Sequence, residues 1–219
     1  MLEIRWDDHA MTRITTRSFS PFVAALLAGW VSGVCAQTEY TADGEPGWEE
    51  EQSRWLANRA RFAPELENAR WETSHVVSDG PLQPMAPNAL VMTAARNHSM
   101  DMAETGAFQH ATPGNAPSGY LEGMDPWDRA AQEGYAYNGF GENIGAGYGS
   151  PVSMHEGWWN SSGHRNNMLG TSYREICMGY HYLATSSYRR YYTMNVAAPA
   201  SGEHWFTGCL LYTSDAADD

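Results

Sequence analysis

Two segments near the end of the chain alternate apolar and polar residues, and they constrain the fold more than any other feature. Ile176 to Leu183 and Tyr188 to Ala197 show the period of two that is typical of strands, and only Ala184 to Ser187 separate them. So short a connection predicts an antiparallel hairpin, because parallel strands need a crossover of a dozen or more residues. The helix signals all precede this hairpin. The order therefore predicts an α+β fold and excludes repeated βαβ units.

Paired start and stop signals predict the helices that come before the hairpin. Asn88 is a good N-cap for a helix that ends near Thr105, with Gly106 as its stop. A proline just inside the start and a glycine past the end predict a short helix between Asp125-Pro126 and Gly134. Ser150-Pro151 repeats the start signal for a helix to about Ser161.

The first predicted helix and the segment after it are read from spacing and from proline content. Trp48 to Phe62 has helical spacing, with Trp48, Trp55, Leu56 and Ala60 expected on one face. The segment 61–87 is punctuated by proline and aspartate, so we expect a long connection there.

The two ends of the chain carry segments that we set apart from the folded domain. Residues 11–36 have the positive start, apolar centre and small residues of a signal peptide, and residues 1–10 are read as a false start before Met11. The apolar run is too short to span a membrane. Residues 37–47 form an acidic lead-in, and 209–219 resemble translated sequencing adapter. One domain over 48–208 is therefore expected.

Charge and cysteine content limit the partners and the source of stability. The chain has no lysine and a net charge of −13, which argues against nucleic acid or an anionic membrane as partner. Setting aside Cys35 and Cys209 leaves Cys177 alone, so the domain has no internal disulfide in spite of its predicted export. An aromatic-rich core must supply its stability.

The glycine-rich stretch GFGENIGAGYG, residues 139–149, has two competing interpretations. A phosphate-binding loop of the P-loop type requires a lysine, and the chain has none. The dinucleotide fingerprint fails as well, because the third glycine stands at 145 instead of 144. We therefore expect a loop whose glycines let the backbone bend and aim Glu142 into a cleft.

Three stretches carry side chains suited to chemistry, and together they resemble a family. FQH contains His110, GEN contains Glu142 and NSSGHRNNML contains His164. With ARNHSMDM at 95–102 and YYT at 191–193, these motifs occur in the order typical of the CAP superfamily, also called SCP domains. The resemblance covers about half of the chain, from Ala89 to Ala197.

The resemblance implies an α-β-α sandwich in which a small antiparallel sheet lies between helices. It also implies a cleft where two histidines and two carboxylates surround a divalent cation. His110, His164 and Glu142 match three of these positions, and Ser161 stands where the second carboxylate is expected. Glu156 cannot replace it, because five helical residues turn a side chain about 140° off the face. Zinc accepts such ligands.

Other residues and functions follow from the same resemblance. Ser161, His98, Asn143 and Trp158 are candidates for the lining of the cleft, although His98 also suits a purely structural role. We expect a secreted module that binds a divalent cation or a small ligand, with a lipid, a sterol or a cell-wall component as candidate partners. Periplasmic or cell-envelope locations stay open.

Two enzymatic alternatives also follow. One is a metal-dependent hydrolase that uses Glu142 as general base. The other, a serine hydrolase with Ser161 or Ser162, lacks the Gly-x-Ser-x-Gly elbow of that class.

Overall fold

A computed structural model describes residues 45–77 and 81–201 of the chain. The predicted signal peptide, most of the acidic lead-in and the adapter-like residues 209–219 lie outside the described residues, so these predictions stay predictions.

Six helices and three strands make up the described part of the chain. In chain order these are α1 (Trp48–Phe62), α2 (Pro64–Arg70), α3 (Ala89–Thr105), α4 (Pro126–Gln132), β1 (Tyr137–Ala146), α5 (Pro151–Asn160), α6 (Ser162–Leu169), β2 (Glu175–Tyr182) and β3 (Arg190–Pro199). The α+β order predicted from the sequence is confirmed, because four helices precede the first strand and the β2–β3 hairpin closes the fold.

The predicted helix caps form hydrogen bonds in the structure. The Asn88 side chain accepts hydrogen bonds from the backbone of Leu90 and Val91, and Gly106 ends α3 with a left-handed φ of 74°. The Ser150 hydroxyl likewise accepts from the backbone N–H of Ser153 at the start of α5. Each cap satisfies backbone groups that a helix end leaves without partners.

Two expectations about the first helices are wrong. The segment 61–87 is not a continuous connection, because Pro64 begins α2 and supplies the fixed φ that suits a first helical residue. Trp48 and Trp55 do not share the buried face of α1, since they are 69% and 51% exposed, whereas Leu56 and Ala60 are buried.

The sheet has the order β1-β3-β2, and both of its pairings are antiparallel. Helices cover both of its faces. Cys177 of β2 belongs to one apolar cluster with Val91 and Ala94 of α3. The neighbouring residue Met178 points the other way, into a cluster with side chains of α1, α5 and α6. The α-β-α sandwich implied by the resemblance is therefore confirmed.

Residues 139–146 of the glycine-rich stretch lie in β1, so the expectation of a bent loop that carries Glu142 is wrong. A Cβ atom placed on Gly145 would lie 2.0 Å from Sδ of Met154, and one on Gly141 would lie 2.9 Å from the Tyr173 hydroxyl. Glycine therefore lets helix and loop side chains pack directly on the strand. Only Gly147, with a φ of 81°, uses the freedom of glycine to turn the chain after β1.

Two further observations concern the described residues as a whole. No helix among them is long and apolar enough to cross a membrane. Cys177 is a free thiol, as expected, and it is buried. Burial raises the pKa of this thiol to about 12.

Candidate functional site

Glu142 lies on the edge strand β1 and places its carboxylate in the interior beside α3 and α4. Its side chain is 1% exposed. The carboxylate accepts a hydrogen bond of 2.6 Å from Nη2 of Arg129 on Oε2. Its other oxygen, Oε1, lies 2.9 Å from Nδ1 of His110. Both carboxylate oxygens therefore have partners within the protein, as a buried charge requires.

Arg129 is the functional residue that sequence reasoning missed. It lies on α4 with a fully buried side chain, and Nη1 donates to the backbone oxygens of His110 at 2.9 Å and Met124 at 3.1 Å. Nη1 also lies 3.3 Å from the Thr112 hydroxyl. The only signal that could have predicted Arg129 was the general rule that a buried carboxylate needs a cationic partner. It does not say which arginine supplies that cation.

His98 lies beneath this group, and the structure buries it completely instead of exposing it to a cleft. Its Nε2 lies 3.0 Å from the backbone oxygen of Gln109 and 3.8 Å from Oε1 of Glu142. Burial lowers the pKa of His98 to about 4, against the opposing effect of the Glu142 charge. His98 is therefore neutral at pH 7 and supports the loop that carries His110.

Asn143 is also buried and faces the other helical layer. Its amide donates to the backbone oxygen of His164 at 3.0 Å and accepts from the Asn167 amide at 2.8 Å. These bonds tie α6 to β1. Asn143 positions the segment that carries His164, and its side chain does not line the cleft.

His164 lies at the start of α6, beside the junction with α5. Burial and the charge of His110 both lower its pKa, with burial the larger effect. Trp158, also near the junction, is 2% exposed and donates from Nε1 to the backbone oxygen of Ile144 at 3.1 Å. His164, Ser161 and Trp158 line one cleft.

This cleft has a volume of about 370 Å³. Phe108, Tyr148 and Tyr188 line it together with Trp158, and the first three are 45%, 36% and 49% exposed. The Phe108 and Tyr188 ring centroids are 6.0 Å apart. The polar side chains in the lining are neutral hydroxyls and His164, so the cleft suits an apolar body with few polar groups.

The three predicted cation ligands are not gathered into one metal site. Glu142 is engaged by Arg129 and His110, whereas His164 lies in the aromatic cleft. Among the described residues no three or more histidine, cysteine, aspartate or glutamate side chains form a group that could hold a metal ion. The arrangement does not fit a cation on Glu142, because a guanidinium already occupies one of its oxygens. Zinc binding stays a prediction.

A second cavity of about 600 Å³ lies beside β2 and contains none of the predicted site residues. Glu50, Arg54, Met92 and Cys177 are among its lining residues. It is larger than the aromatic cleft, but it has no contact with the His110–Glu142–Arg129 group that carries the distinctive chemistry.

Comparison with known proteins gives a family match over most of the domain. Residues 56–196 match the model of the CAP family, described as the cysteine-rich secretory protein family. Among curated proteins, the chain is 31% identical over 99 residues to the uncharacterized protein YkwD of Bacillus subtilis, which covers 45% of this chain and 35% of the relative. It is 33% identical over 101 residues to the uncharacterized membrane protein YlbC of the same organism, covering 46% of this chain and 25% of that relative. The chain thus spans about a third or less of these relatives.

Two solved structures are similar to part of this chain. One is an extracellular protein containing an SCP domain from Bacillus anthracis, with 24% identity and a TM-score of 0.49 over 72% of this chain and 43% of that one. Another is an outer surface protein of Borrelia burgdorferi, with 15% identity and a TM-score of 0.49 over 68% of this chain and 93% of that one.

Proposed function

The chain belongs to the CAP family of cysteine-rich secretory proteins, and on that premise we propose that it is an exported binding module whose aromatic cleft takes up a small neutral molecule. The observation that carries this proposal is the composition of the cleft. Its volume of about 370 Å³ lies in the range of small-ligand pockets, roughly 300 to 1,000 Å³.

Charge decides which small molecules suit the cleft. No arginine or carboxylate side chain belongs to its lining. His164, its one titratable histidine, has a pKa lowered by burial and by His110, so it is mostly neutral at pH 7. The chain as a whole carries a net charge of −13, which repels anions. A neutral ligand with an apolar body and one or two polar groups fits best.

A fluorescent probe of that chemistry tests the proposal. N-phenyl-1-naphthylamine is neutral and apolar, and we expect it to bind with enhanced emission. Phe108→Ala and Tyr188→Ala should each raise its Kd by about fivefold or more, since each removes part of a large apolar contact. Trp48→Ala removes an aromatic ring that is 69% exposed and lies outside the cleft, so it serves as the control. Equal affinity in all four proteins refutes the proposal.

Zinc is the other occupant that the resemblance implies, and a separate titration addresses it. Calorimetry with zinc is carried out on the parent, His110→Ala and His164→Ala. Stoichiometric zinc binding that disappears in both variants would assign the site to a cation and overturn the proposal of a neutral ligand. The hydrolase alternative gains no support, because both Glu142 oxygens are already in polar contact with side chains of the protein.

Export is the second part of the proposal. It rests on the signal-peptide pattern of residues 11–36 and on family membership. Mass spectrometry of the mature protein should find Gln37 at its N-terminus. A lipid on Cys35 would replace secretion by anchoring, and an unprocessed chain inside the cell would contradict export.

A further inference from the structure

We propose that helix α1 joins two copies of this chain in an antiparallel dimer, through a row of side chains that we name the aromatic stripe. The aromatic stripe consists of Trp48, Trp55 and Phe62, which are 69%, 51% and 51% exposed. Each lies seven residues from the next, so a helix of about 3.6 residues per turn places them on one face, with a drift of about 20° per step. Leu56 and Ala60 of the same helix are buried. The helix therefore has two apolar faces, one packed in the domain and one exposed.

The aromatic stripe is large enough to form an interface. A large aromatic side chain presents roughly 150 to 250 Å², so the exposed fractions leave on the order of 350 Å² of surface on this face of α1. Soluble monomers rarely expose much more than this in one patch, and such patches are often functional. Two copies together bury about 700 Å² of aromatic surface, to which flanking side chains add. An interface of this size, below about 1,200 Å², is typical of weak and reversible association.

The spacing of the aromatic stripe makes it complementary to itself. In a two-fold symmetric pair every contact between two different residues occurs twice, once in each direction. Trp55 is the middle member of the stripe. A two-fold axis beside it sets Trp55 against Trp55 of the second copy, and it sets Trp48 against Phe62 of the second copy at both ends. One symmetry operation therefore covers all three aromatic side chains.

Charge decides between an antiparallel and a parallel pair. The first turn of α1 is acidic and its last turn is basic. Glu51 and Arg59 lie four residues before and four residues after Trp55, with side chains 46% and 21% exposed. An antiparallel pair brings Glu51 of one copy level with Arg59 of the other, whereas a parallel pair brings like charges level with each other. Because opposite charges attract, the antiparallel direction is favoured.

Contacts within one copy already restrain the centre of the aromatic stripe. The Arg59 guanidinium lies over the Trp55 ring, 5.3 Å from the ring centroid. Nη2 of Arg59 also donates to Oε2 of Glu67 on α2 at 3.0 Å. The Trp55 ring is therefore restrained before association, which lowers the side-chain entropy that is lost when two copies dock.

Sedimentation velocity of the purified mature protein tests the dimer. The measurement covers about 1 to 300 µM at pH 7 and about 0.15 M salt, which screens the repulsion between chains of net charge −13. Dithiothreitol keeps the cysteines reduced and excludes dimers joined by a disulfide. We expect a reversible equilibrium of monomer and dimer with a Kd on the order of 10 µM. A parent protein that stays monomeric at the highest concentration overturns the proposal.

A charge at the centre of the aromatic stripe should prevent association. Trp55→Glu places two carboxylates beside the two-fold axis and should raise the Kd by about tenfold or more. Trp127→Glu makes the same chemical change on α4, at a tryptophan that is 40% exposed, and should leave the Kd unchanged. Circular dichroism establishes whether both variants are folded. An unchanged Kd in folded Trp55→Glu would show that the copies associate through another surface, and it would overturn the proposal.

Mixing two variants tests the antiparallel register. Trp48→Lys and Phe62→Glu should each raise the Kd by about tenfold, since each loses the aromatic contact at both ends of the interface. A mixed pair regains one contact between Trp48 and Phe62, and it sets the introduced lysine beside the introduced glutamate. We therefore expect the mixture to associate about tenfold more tightly than either variant alone. No gain on mixing contradicts the register, because a parallel pair restores neither contact. If Trp55→Glu does not fold, the parent protein and this mixture decide.

Discussion

Replacing Arg129 with methionine should destabilise the folded domain by about 3–5 kcal/mol, the typical cost of leaving one member of a buried ion pair without its partner. Glu142 has a side chain that is 1% exposed, so solvent cannot replace the lost guanidinium. The backbone oxygens of His110 and Met124 also lose a donor. Methionine keeps an unbranched apolar chain in place of the arginine stem, so the change removes mainly the charge and the hydrogen bonds.

The structure supplies a matched control for this cost. Arg54 and Glu51 form an ion pair on the surface of α1, with side chains 21% and 46% exposed. Arg54→Met should cost at most about 1 kcal/mol, because water solvates the remaining charge. A double variant, Arg129→Met with Glu142→Leu, removes both buried charges and should recover most of the loss.

Urea unfolding at pH 7, followed by tryptophan fluorescence, measures these differences. The reasoning is refuted if Arg129→Met costs no more than Arg54→Met. It is also refuted if the double variant is less stable than Arg129→Met alone.

Three other expectations concern packing and titration. Gly179→Ala should cost about 3 kcal/mol or more in urea unfolding, since its Cβ would lie 2.2 Å from the backbone carbon of Ala95, whereas Gly149→Ala enters open space and should have little effect. Cys177, with a pKa raised by burial to about 12, should not react with a disulfide reagent at pH 8 until urea unfolds the protein. Burial raises the pKa of Glu67, but hydrogen bonds from His155 and Arg59 outweigh burial and lower it to about 2, below the ordinary 4.5. The contribution of Glu67 to stability is therefore complete above pH 4.5 and lost as the pH falls toward 2. Glu67→Gln should reduce the change of the urea midpoint with pH over that range.

Local signals in the sequence predicted those elements whose ends are determined by their own residues. The cap formed by Asn88 and the left-handed Gly106 act within one turn of α3, so they can be read without knowledge of the fold. Strand β1 could not be read in this way. Gly141 and Gly145 interrupt the alternation of apolar side chains. Glycine is needed at these positions because Tyr173 and Met154, which lie in other parts of the chain, pack against them.

In the candidate site, too, some residues could be predicted from local motifs, whereas their partners could not. The motifs identified His110, Glu142 and His164, but they did not give the partners of these residues. Arg129 reaches Glu142 because α4 and β1 meet in the folded domain, and a sequence does not state which elements meet. The hydrogen bond from the Asn143 amide to the backbone oxygen of His164 likewise joins two elements and follows from no local pattern.

Cys177 contributes to the fold as a free thiol, through hydrogen bonds that do not depend on the redox conditions. Cys177 donates to the backbone oxygen of Asn88 and receives its N–H, so the sulfur joins β2 to the start of α3 without any covalent bond. Within the described residues no cystine contributes to the fold. The link that Cys177 makes between β2 and α3 therefore does not depend on the glutathione poise of a compartment. Equal melting temperatures with and without dithiothreitol are the expected signature of such redox indifference.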